Sequence, residues 1–480
     1  MQSPQSSLAA SLQPTILVIF GITGDLSRRY LLPSLYHLAK QQLLPEKFEI
    51  IGISRRNINL DELFSNVEMC VSEEDKVCDP AVMARLHSHT RIQQLDMESV
   101  EGFKELRQLL DDLETEQKTC MNRLYYLSVP PKAYGTIINS MGQAGLNGSC
   151  SHGTAMTRLL AEKPFGHDLA SAEELIAQTG AVFGEDQIYR IDHYLAKETA
   201  QNILTFRFEN PLFEAVWNNR HIDSIDIVAS EKIGIEGRAD FYEHQGALRD
   251  FIQNHLLQLL ATVTMDKPTQ LNSQAIHDAK LAVLQAVRPI EQADVATQTA
   301  RGQYVGYRQE VGNEQSFVET YAAIATSIDN ERWRGVPLTI RTGKAMAERH
   351  TTISVIFKDA DSTVAATDTA KKNILQFRIQ PNEGIQFTIF AKRPGYDNEL
   401  QAVTMDFSYQ HAFEGDDPTA YERVLIDAIR GDQSLFASSQ EVLAAWHIVD
   451  QVVQAWTKDG TSLISYQQGT AISDIGDITD

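Results

Sequence analysis

The amino-acid sequence predicts two units: an N-terminal α/β unit with a doubly wound parallel sheet, then an α+β unit with a large, mainly antiparallel sheet flanked by helices. In residues 15–189, short apolar runs alternate with segments of helical pattern, as in a parallel sheet covered on both faces. In residues 190–480, most predicted strands follow one another without a helix between them. No internal repeat or linker separates the two units, so we expect a tight interface between them.

Bulk composition limits the classes of partner. The 480-residue chain has the composition of an ordinary globular protein and is long enough for two or three domains. Its formal net charge of -22 would repel nucleic acid and anionic membranes, and we expect neither as a partner. No apolar run approaches the roughly 18 residues of a membrane-spanning helix. Residues 1–14 contain no basic residue and no signal-peptide core, so we predict a disordered tail on a cytoplasmic protein.

The four cysteines do not have the spacing of a metal site, and the sequence offers no other metal-binding cluster. They are Cys70, Cys78, Cys120 and Cys150, all in the first third of the chain. In a reducing cytosol we expect free thiols, with a redox switch as the alternative.

The first predicted strand leads directly into a glycine turn. Thr15–Phe20 is a continuous apolar run, typical of a buried parallel strand, and Gly21-Ile22-Thr23-Gly24-Asp25-Leu26 follows it. A tight glycine turn after a first strand allows backbone N–H groups to approach a pyrophosphate. The spacing is GxxGxL rather than GxGxxG, so the turn alone is a weak signal. Pro33 suits the first turn of a helix that we predict over residues 33–41.

A second predicted strand, residues 48–53, ends at Ser54-Arg55-Arg56. An acidic residue at this place would bind the ribose 2′-hydroxyl of NAD, whereas an arginine suits the 2′-phosphate of NADP. The alternative is that Arg55 and Arg56 are ordinary surface charges. Because they follow a strand, a glycine turn and a helix, we predict an NADP-binding unit of Rossmann-like type over residues 15–189.

The alternation of strands and helices continues to residue 161. In a doubly wound sheet the ligand lies at the carboxyl ends of the strands, where Tyr126 and Lys163 also stand. Pro164 restricts Lys163 to an extended conformation, so its side chain has a defined direction. The remaining predictions are a helix over 99–117 and strands at 91–95, 122–129, 158–161, 205–208, 224–230, 353–358 and 385–390.

Residues 190–198, RIDHYLAKE, concentrate side chains that can bind an anion. His193, Tyr194 and Lys197 could hold a dianion, with lysine as a point charge and the other two as directional donors. Asp192 would repel a phosphate, and its natural use is to accept an N–H from a distant histidine and fix the tautomer of that ring. The alternative is a solvated turn with ordinary surface charges.

A second polar cluster lies on a predicted helix, Gly246–Leu260. Its apolar stripe should be core: Ile252, Leu256, Leu259 and Val263. Asp250, Asn254 and His255 point away from that stripe. A histidine beside an apolar face is usually a core residue, but Asp192 needs a histidine partner. A His255–Asp192 pair next to a phosphate site and a nicotinamide site would make a coherent proton acceptor.

Together these segments resemble the glucose-6-phosphate dehydrogenase family, over roughly residues 15–456. The matching motifs are GxxGDL (Gly21–Leu26), EKPFG (Glu162–Gly166), RIDHYLxKE (Arg190–Glu198), GxxRDxxQNHLLQ (Gly246–Gln258) and RTGK (Arg341–Lys344). One departure is Ala196, which stands where the family usually has glycine.

The resemblance implies oxidation of glucose 6-phosphate to 6-phosphogluconolactone with NADP, the first step of the oxidative pentose phosphate pathway, by a homodimer or homotetramer. It also implies that His255 is the general base, that Asp192 orients it, and that Pro164 is cis. The implied substrate contacts are Lys163, His193, Tyr194, Lys197, Glu231, Asp250, Lys344, Arg349 and Gln380. The implied cofactor contacts are Gly21, Gly24, Asp25, Leu26, Arg55, Tyr126 and Lys163. Residues 190–480 would then carry the substrate site, the catalytic groups and the oligomer contacts.

Two other functions are compatible with parts of the sequence. A sugar oxidoreductase of the glucose–fructose oxidoreductase type also has an EKP motif before a β-rich domain, but it normally shows GxGxxG and lacks the RIDHYL and QNHLLQ segments. An inactive NADPH sensor on the same fold would be favoured by loss of His255 or Lys197, and both residues are present.

Overall fold

The computed structural model describes residues 12–75, 78–150, 155–359, 372–396, 399–413, 418–458 and 463–476. The predicted tail therefore lies outside the described residues over positions 1–11, as does the side chain of Cys70. No helix within the described ranges is long and apolar enough to cross a membrane.

The strands form two sheets. In chain order they are β1 (Thr15–Phe20), β2 (Phe48–Ser54), β3 (Thr90–Gln94), β4 (Asn122–Leu127), β5 (Thr157–Ala161), β6 (Ile188–Ile191), β7 (Ile222–Ser230), β8 (Thr299–Tyr304), β9 (Tyr321–Ser327), β10 (Pro337–Gly343), β11 (His350–Phe357), β12 (Ile374–Gln380), β13 (Gly384–Lys392), β14 (Leu400–Ser408), β15 (Phe436–Ala437) and β16 (Ile464–Tyr466).

The helices surround the sheets. The α-helices are Leu32–Lys40, Leu60–Asp75, Pro80–Ser88, Val100–Gln117, Tyr134–Gln143, Leu169–Gly180, Glu198–Phe208, Pro211–Glu214, Ala239–Ala247, Leu257–Thr264, Ser273–Ala286, Val295–Gln298, Tyr307–Val311, Tyr409–Ala412, Ala420–Arg430 and Ser439–Lys458. Two segments, Ser27–Leu31 and Leu248–Leu256, are π-helical, and Pro131–Ala133, Glu185–Gln187 and Ile472–Asp474 are short 3-10 turns.

The first sheet has the order β15-β6-β5-β4-β1-β2-β3. All its neighbours are parallel except β15, which pairs antiparallel with β6. Every residue of β1, β2 and β4 is buried, as expected for strands covered on both faces. The connections reverse direction between β1 and β4, so a crevice opens at their carboxyl ends, where doubly wound sheets bind ligands. The predicted parallel sheet is confirmed.

The second sheet has nine strands in the order β14-β13-β12-β11-β7-β10-β9-β8-β16. Its pairs are antiparallel apart from β7 with β10 and β8 with β16. The prediction of a large, mainly antiparallel sheet in the second half is therefore confirmed.

The two sheets share one apolar core, as expected without a linker. A continuous cluster of buried side chains extends from Ile16 of β1 through Ile252 to Trp446 near the C-terminus. The Trp446 indole donates its N–H to the carbonyl oxygen of Phe165 at 2.9 Å. Because packed side chains and this hydrogen bond join the two units, side chains at the edge of the first sheet keep a fixed position relative to side chains of the second unit.

The predicted strand at residues 205–208 is wrong, since these residues end the helix Glu198–Phe208. Thr205, Phe206, Arg207 and Phe208 alternate in polarity, but of these four only Arg207 and Phe208 are buried, and with Ala200 and Ile203 they follow helical spacing. The Arg207 guanidinium lies over the Trp217 ring and pairs with Glu214 at 3.2 Å. Because Arg207 is buried and its charge is paired with Glu214, a charged residue occupies a core position of this helix. In the sequence that charge looks like the polar residue of an alternating strand.

The predicted helix over residues 33–41 begins earlier than predicted. The chain is already helical at Ser27–Leu31, which are π-helical, and Leu32–Lys40 continue it. Pro33 therefore lies inside the helical stretch.

The prediction of free thiols is wrong for Cys120 and Cys150, which form a disulfide with a Cα–Cα distance of 5.9 Å. Cys120 stands just before β4 and Cys150 before β5, and the pairing of these two strands brings the cysteines together. Cys78 is free.

Candidate active site

The helix that carries His255 has an unusual start. The chain enters it at Gly246, where φ is 65° and a side chain would collide with the carboxylate of Glu319. That carboxylate accepts the backbone N–H of Leu248 at 3.0 Å and so fixes the first turn. The following π-helical stretch, Leu248–Leu256, contains His255, and π-helical turns often occur at functional sites. The predicted apolar stripe is buried, but His255 and Asp250 are buried as well.

His255 and Asp192 form a direct pair, as predicted. Nδ1 of His255 lies 2.6 Å from Oδ1 of Asp192, and both side chains are buried. The same carboxylate oxygen accepts the backbone N–H of Tyr194 at 2.9 Å, which fixes its direction. Since the Nδ1–H of His255 donates a hydrogen bond to the carboxylate, the lone pair of the neutral ring is on Nε2. Nε2 has no hydrogen-bond partner among the described residues.

The surroundings keep the His255 ring neutral and Asp192 ionised. Burial lowers the pKa of His255, the charge of Asp192 raises it, and the net shift is downward from 6.5. Burial alone would raise the pKa of Asp192, but its close contact with His255 and the hydrogen bond between them hold it well below its ordinary value. The Tyr194 ring stacks on the His255 ring at 4.5 Å, so the orientation of the imidazole is fixed by packing too. The pair is suited to accept a proton.

Two lysines and two acids lie beside this pair. Nζ of Lys163 donates to Oδ1 of Asp250 at 2.8 Å and to its backbone oxygen at 2.9 Å. Lys344 forms an ion pair with Glu231 and lies 3.8 Å from Asp250 Oδ2. Burial would raise the pKa of Asp250, but Lys163 and Lys344 lower it well below its ordinary value. The predicted sugar contacts are therefore brought together, and each charge has a partner. The Lys163–Pro164 peptide is cis, as the resemblance implied.

Two of the predicted phosphate contacts, His193 and Tyr194, lie against His255. The His193 ring meets the His255 ring edge to face at 4.7 Å, and burial, together with the nearby His255 and Lys163, lowers the pKa of His193 to about 3. Nε2 of Gln380 donates to the Tyr194 hydroxyl at 2.9 Å. Nζ of Lys197 lies 3.6 Å from Oε1 of Glu383.

Arg349 is exposed, and its charge lowers the pKa of the Tyr194 hydroxyl against a net rise caused by burial. It therefore lies within electrostatic reach of the phosphate contacts, although the side chain faces solvent.

The glycine turn lines a cavity of about 730 Å³ at the carboxyl ends of β1, β2 and β4. Gly21 has a φ of 81°, and a Cβ there would lie 2.3 Å from the carbonyl oxygen of Ser128, so only glycine fits. Gly24, Arg55 and Arg56 line the same cavity. The space and the glycine turn can accommodate a dinucleotide, and the two guanidinium groups could hold a phosphate of it.

Four predicted cofactor contacts do not line this cavity, and one of them, Lys163, lies at the His255 site instead. Asp25 is exposed and pairs with Arg29 at 2.9 Å, and Leu26 packs on the apolar cluster around the helix Leu32–Lys40. Tyr126 is completely buried and donates its hydroxyl to Glu162 at 2.6 Å. Its strand position is at the predicted edge, but its side chain faces the other side of the sheet.

Sequence reasoning missed further residues of both sites. Asp96, Met97 and Glu98 line the nucleotide cavity directly after β3, and the end of the predicted strand at residue 95 could have identified them. Glu383 stands beside the phosphate contacts in the turn after β12. The sequence signal for Glu383 is weaker, because its partner Thr199 is 184 residues away in the chain. Gln380 is likewise 186 residues from its partner Tyr194.

Two family models together match most of this chain. Residues 18–202 match the family model "Glucose-6-phosphate dehydrogenase, NAD binding domain", and residues 204–475 match "Glucose-6-phosphate dehydrogenase, C-terminal domain". The chain belongs to the glucose-6-phosphate dehydrogenase family. It is therefore an oxidoreductase that uses a nicotinamide cofactor.

Relatives within the family align over nearly their whole length. "Glucose-6-phosphate 1-dehydrogenase 2" of Mycobacterium bovis is 40% identical over 474 residues, covering 95% of this chain and 91% of that protein. "Glucose-6-phosphate 1-dehydrogenase" of Rhizobium meliloti is 39% identical over 480 residues, covering 97% and 96%.

Solved structures agree with this assignment. A glucose-6-phosphate dehydrogenase in complex with glucose 6-phosphate has a TM-score of 0.89 and 33% identity, covering 98% of this chain and 99% of that one. A glucose-6-phosphate 1-dehydrogenase from Mycobacterium avium has a TM-score of 0.81 and 32% identity, covering 95% of each chain. A levoglucosan dehydrogenase with a TM-score of 0.52 is only 10% identical and shares the fold alone.

Proposed function

We propose that this member of the family oxidises glucose 6-phosphate at C1 to 6-phospho-D-glucono-1,5-lactone with NADP+ as hydride acceptor, the first step of the oxidative pentose phosphate pathway. One observation carries the proposal: the buried His255–Asp192 pair, with Nε2 of His255 unpartnered among the described residues and sugar-binding groups around it.

His255 acts as the general base of this reaction. Its neutral imidazole takes the proton of the C1 hydroxyl on Nε2, while the hydride leaves C1 and the C1–O bond becomes a carbonyl. Asp192 accepts the Nδ1 proton in a hydrogen bond and stabilises the imidazolium that forms. When bound, NADP+ supplies the electron acceptor, and Gly21, Gly24 and Arg55 would hold it.

The charged pairs around His255 orient the sugar. Lys163, Asp250, Lys344 and Glu231 are arranged to exchange hydrogen bonds with pyranose hydroxyls. The phosphate, which is remote from C1, is bound by His193, Tyr194 and Lys197, with Arg349 and Gln380 close to them. Binding energy from this remote group holds the reacting carbon in place.

The proposal includes the division of labour between the two units. Residues 15–189 bind the nucleotide, and residues 190–480 provide the sugar site and the contacts of a homodimer or homotetramer. The oligomeric state is supported by the family membership. Light scattering of the purified protein measures its molar mass and so tests this part of the proposal.

Reduction of NADP+ with glucose 6-phosphate is the direct test. Fructose 6-phosphate is the matched control, since it carries the phosphate but lacks an oxidisable hemiacetal C1–H. We expect NADPH formation with the first sugar only, with one proton released per NADPH by the oxidation and a second as the lactone hydrolyses to the carboxylate. A folded protein that reduces no NADP+ with glucose 6-phosphate contradicts the proposed function.

A further inference from the structure

The turn between β12 and β13 places a carboxylate against the segment that we assign to the substrate phosphate. Oε2 of Glu383 accepts the backbone N–H of Thr199 at 3.0 Å. Its other oxygen, Oε1, lies 3.6 Å from Nζ of Lys197. Lys197 is the residue before the helix Glu198–Phe208, so Glu383 binds both a backbone donor of the first helical turn and the adjacent cation.

These are the donors that a phosphate would use. A helix N-terminus offers backbone N–H groups to an anion, and a lysine adds a point charge. The same turn contains a third donor, because Thr199 is completely buried and its Oγ1 has no hydrogen-bond partner among the described residues. The Glu383 carboxylate thus occupies two of three adjacent anion-binding groups.

Apart from the exposed Arg349, the charges at this place cancel without a ligand. Lys197 is positive, Glu383 is negative, and His193 is neutral because its pKa is lowered to about 3. A phosphate dianion that approached Lys197 would be repelled by the Glu383 carboxylate. Only 19% of the Glu383 side chain is exposed, so solvent screens this repulsion incompletely.

We infer that Glu383 occupies the phosphate subsite when no sugar phosphate is bound and that the phosphate displaces it. Glu383 is then a residue that sets affinity and anion selectivity. A dianion with three terminal oxygens can accept more hydrogen bonds than the carboxylate that it replaces, whereas a small monoanion cannot. This inference rests on the proposed function for the identity of the substrate.

The opposite role would give opposite results. If Glu383 stayed in place and oriented Lys197 for the phosphate, removal of its charge would weaken phosphate binding. The two roles are therefore separated by the sign of one measured change.

The variant Glu383→Gln keeps the size of the side chain and a carbonyl oxygen for the Thr199 N–H, but it removes the charge. Binding of inorganic phosphate is measured by calorimetry, and KM is measured with glucose 6-phosphate. We expect the Kd for phosphate and the KM for glucose 6-phosphate each to fall roughly fivefold, because an interaction between partly exposed charges has about this effect on affinity. The kcat/KM for unphosphorylated glucose should change less than about twofold, because glucose leaves this subsite empty.

Glu399→Gln is the matched control, since Glu399 pairs with Arg393 on the exposed hairpin between β13 and β14. It should leave both constants unchanged. Inhibition of the wild-type protein gives a second test that needs no substitution. Sulfate should compete with glucose 6-phosphate, and acetate should not.

An unchanged or larger Kd for phosphate in Glu383→Gln overturns the inference, as does acetate competing as well as sulfate. Failure of the proposed function is a separate result. It would appear as absence of turnover in the wild type, and the calorimetric comparison would still decide the role of Glu383.

Discussion

The nucleotide crevice and the His255 site are built in opposite ways. The crevice is a cavity of about 730 Å³ lined by turns that follow successive strands, and its two arginines are exposed. The His255 site is buried, and its lysines and acids bind one another. The crevice draws on residues 21–136, whereas the other site joins residues up to 186 positions apart.

This difference indicates how each site responds to substitution. When a side chain of the open crevice is truncated, water can take its place beside the ligand, so the cost is that of one interaction. When a charge is removed from the buried site, its partner is left unpaired in a place of low dielectric, which is far more costly. We therefore expect effects to decrease from the centre of the buried site to the rim of the crevice.

The largest effect is expected at the centre of the buried site. His255→Asn should preserve the fold and binding of both substrates but lower kcat by about 10²–10⁴-fold, the usual contribution of a general base. Steady-state kinetics and calorimetric binding of NADP+ check both parts. His89→Asn is the control, because His89 lies outside the site. Its Nδ1 is 3.1 Å from Oε1 of Glu49. Near-native turnover in His255→Asn would remove this residue from the role.

A smaller effect is expected at the edge of the buried site. Lys197→Ala should raise the KM for glucose 6-phosphate about 10–100-fold, because a hydrogen bond to a charged group contributes roughly 1.5–3 kcal/mol. The KM for NADP+ should stay close to its wild-type value. If the efficiency with unphosphorylated glucose fell as much as that with the phosphate ester, Lys197 would not be a phosphate ligand.

The contrast between the sites also explains what the sequence could predict. The crevice could be predicted locally, since β1, the glycine turn and Arg55 at the end of β2 are contiguous signals of one motif. Tyr126 lies at the right strand end, but the strand alternates its side chains between faces, and this one points away.

The buried site could be proposed from RIDHYL and QNHLLQ, but not its long-range details. The pairing of Asp192 with His255 was predicted because each residue needed the other. Glu383 and Glu319 reach the site from distant strands or loops, and no local pattern marks them. The two-residue strand β15 pairs with β6 across more than 240 residues, and a strand that short has no periodicity to detect.

At the rim of the crevice we expect an effect on cofactor choice alone. Arg55→Ala should reduce the preference for NADP over NAD by about tenfold, the low end for a charge-assisted contact, because Arg55 is exposed. The ratio of kcat/KM for the two cofactors measures it. Wild-type protein that used NAD equally well, or a variant in which both cofactors were weakened alike, would show that Arg55 does not bind the 2′-phosphate.

The smallest expected effect is the displacement of the acid limb in the pH profile of the wild type, and it tests whether burial governs the His255 site. His255 accepts a proton only when neutral, so kcat/KM falls as the pH drops through its pKa in the free enzyme. Burial lowers this pKa below 6.5, and Asp192 partly opposes the shift. The acid limb should therefore lie below pH 6.5, and in Asp192→Asn it should move lower still while the plateau falls. Glucose is the sugar to use, because a phosphate monoester itself titrates at about pH 6. Arg55→Ala, at the other site, should leave the limb in place. A limb at or above pH 6.5, or one that rises in Asp192→Asn, would mean that another group controls the rate.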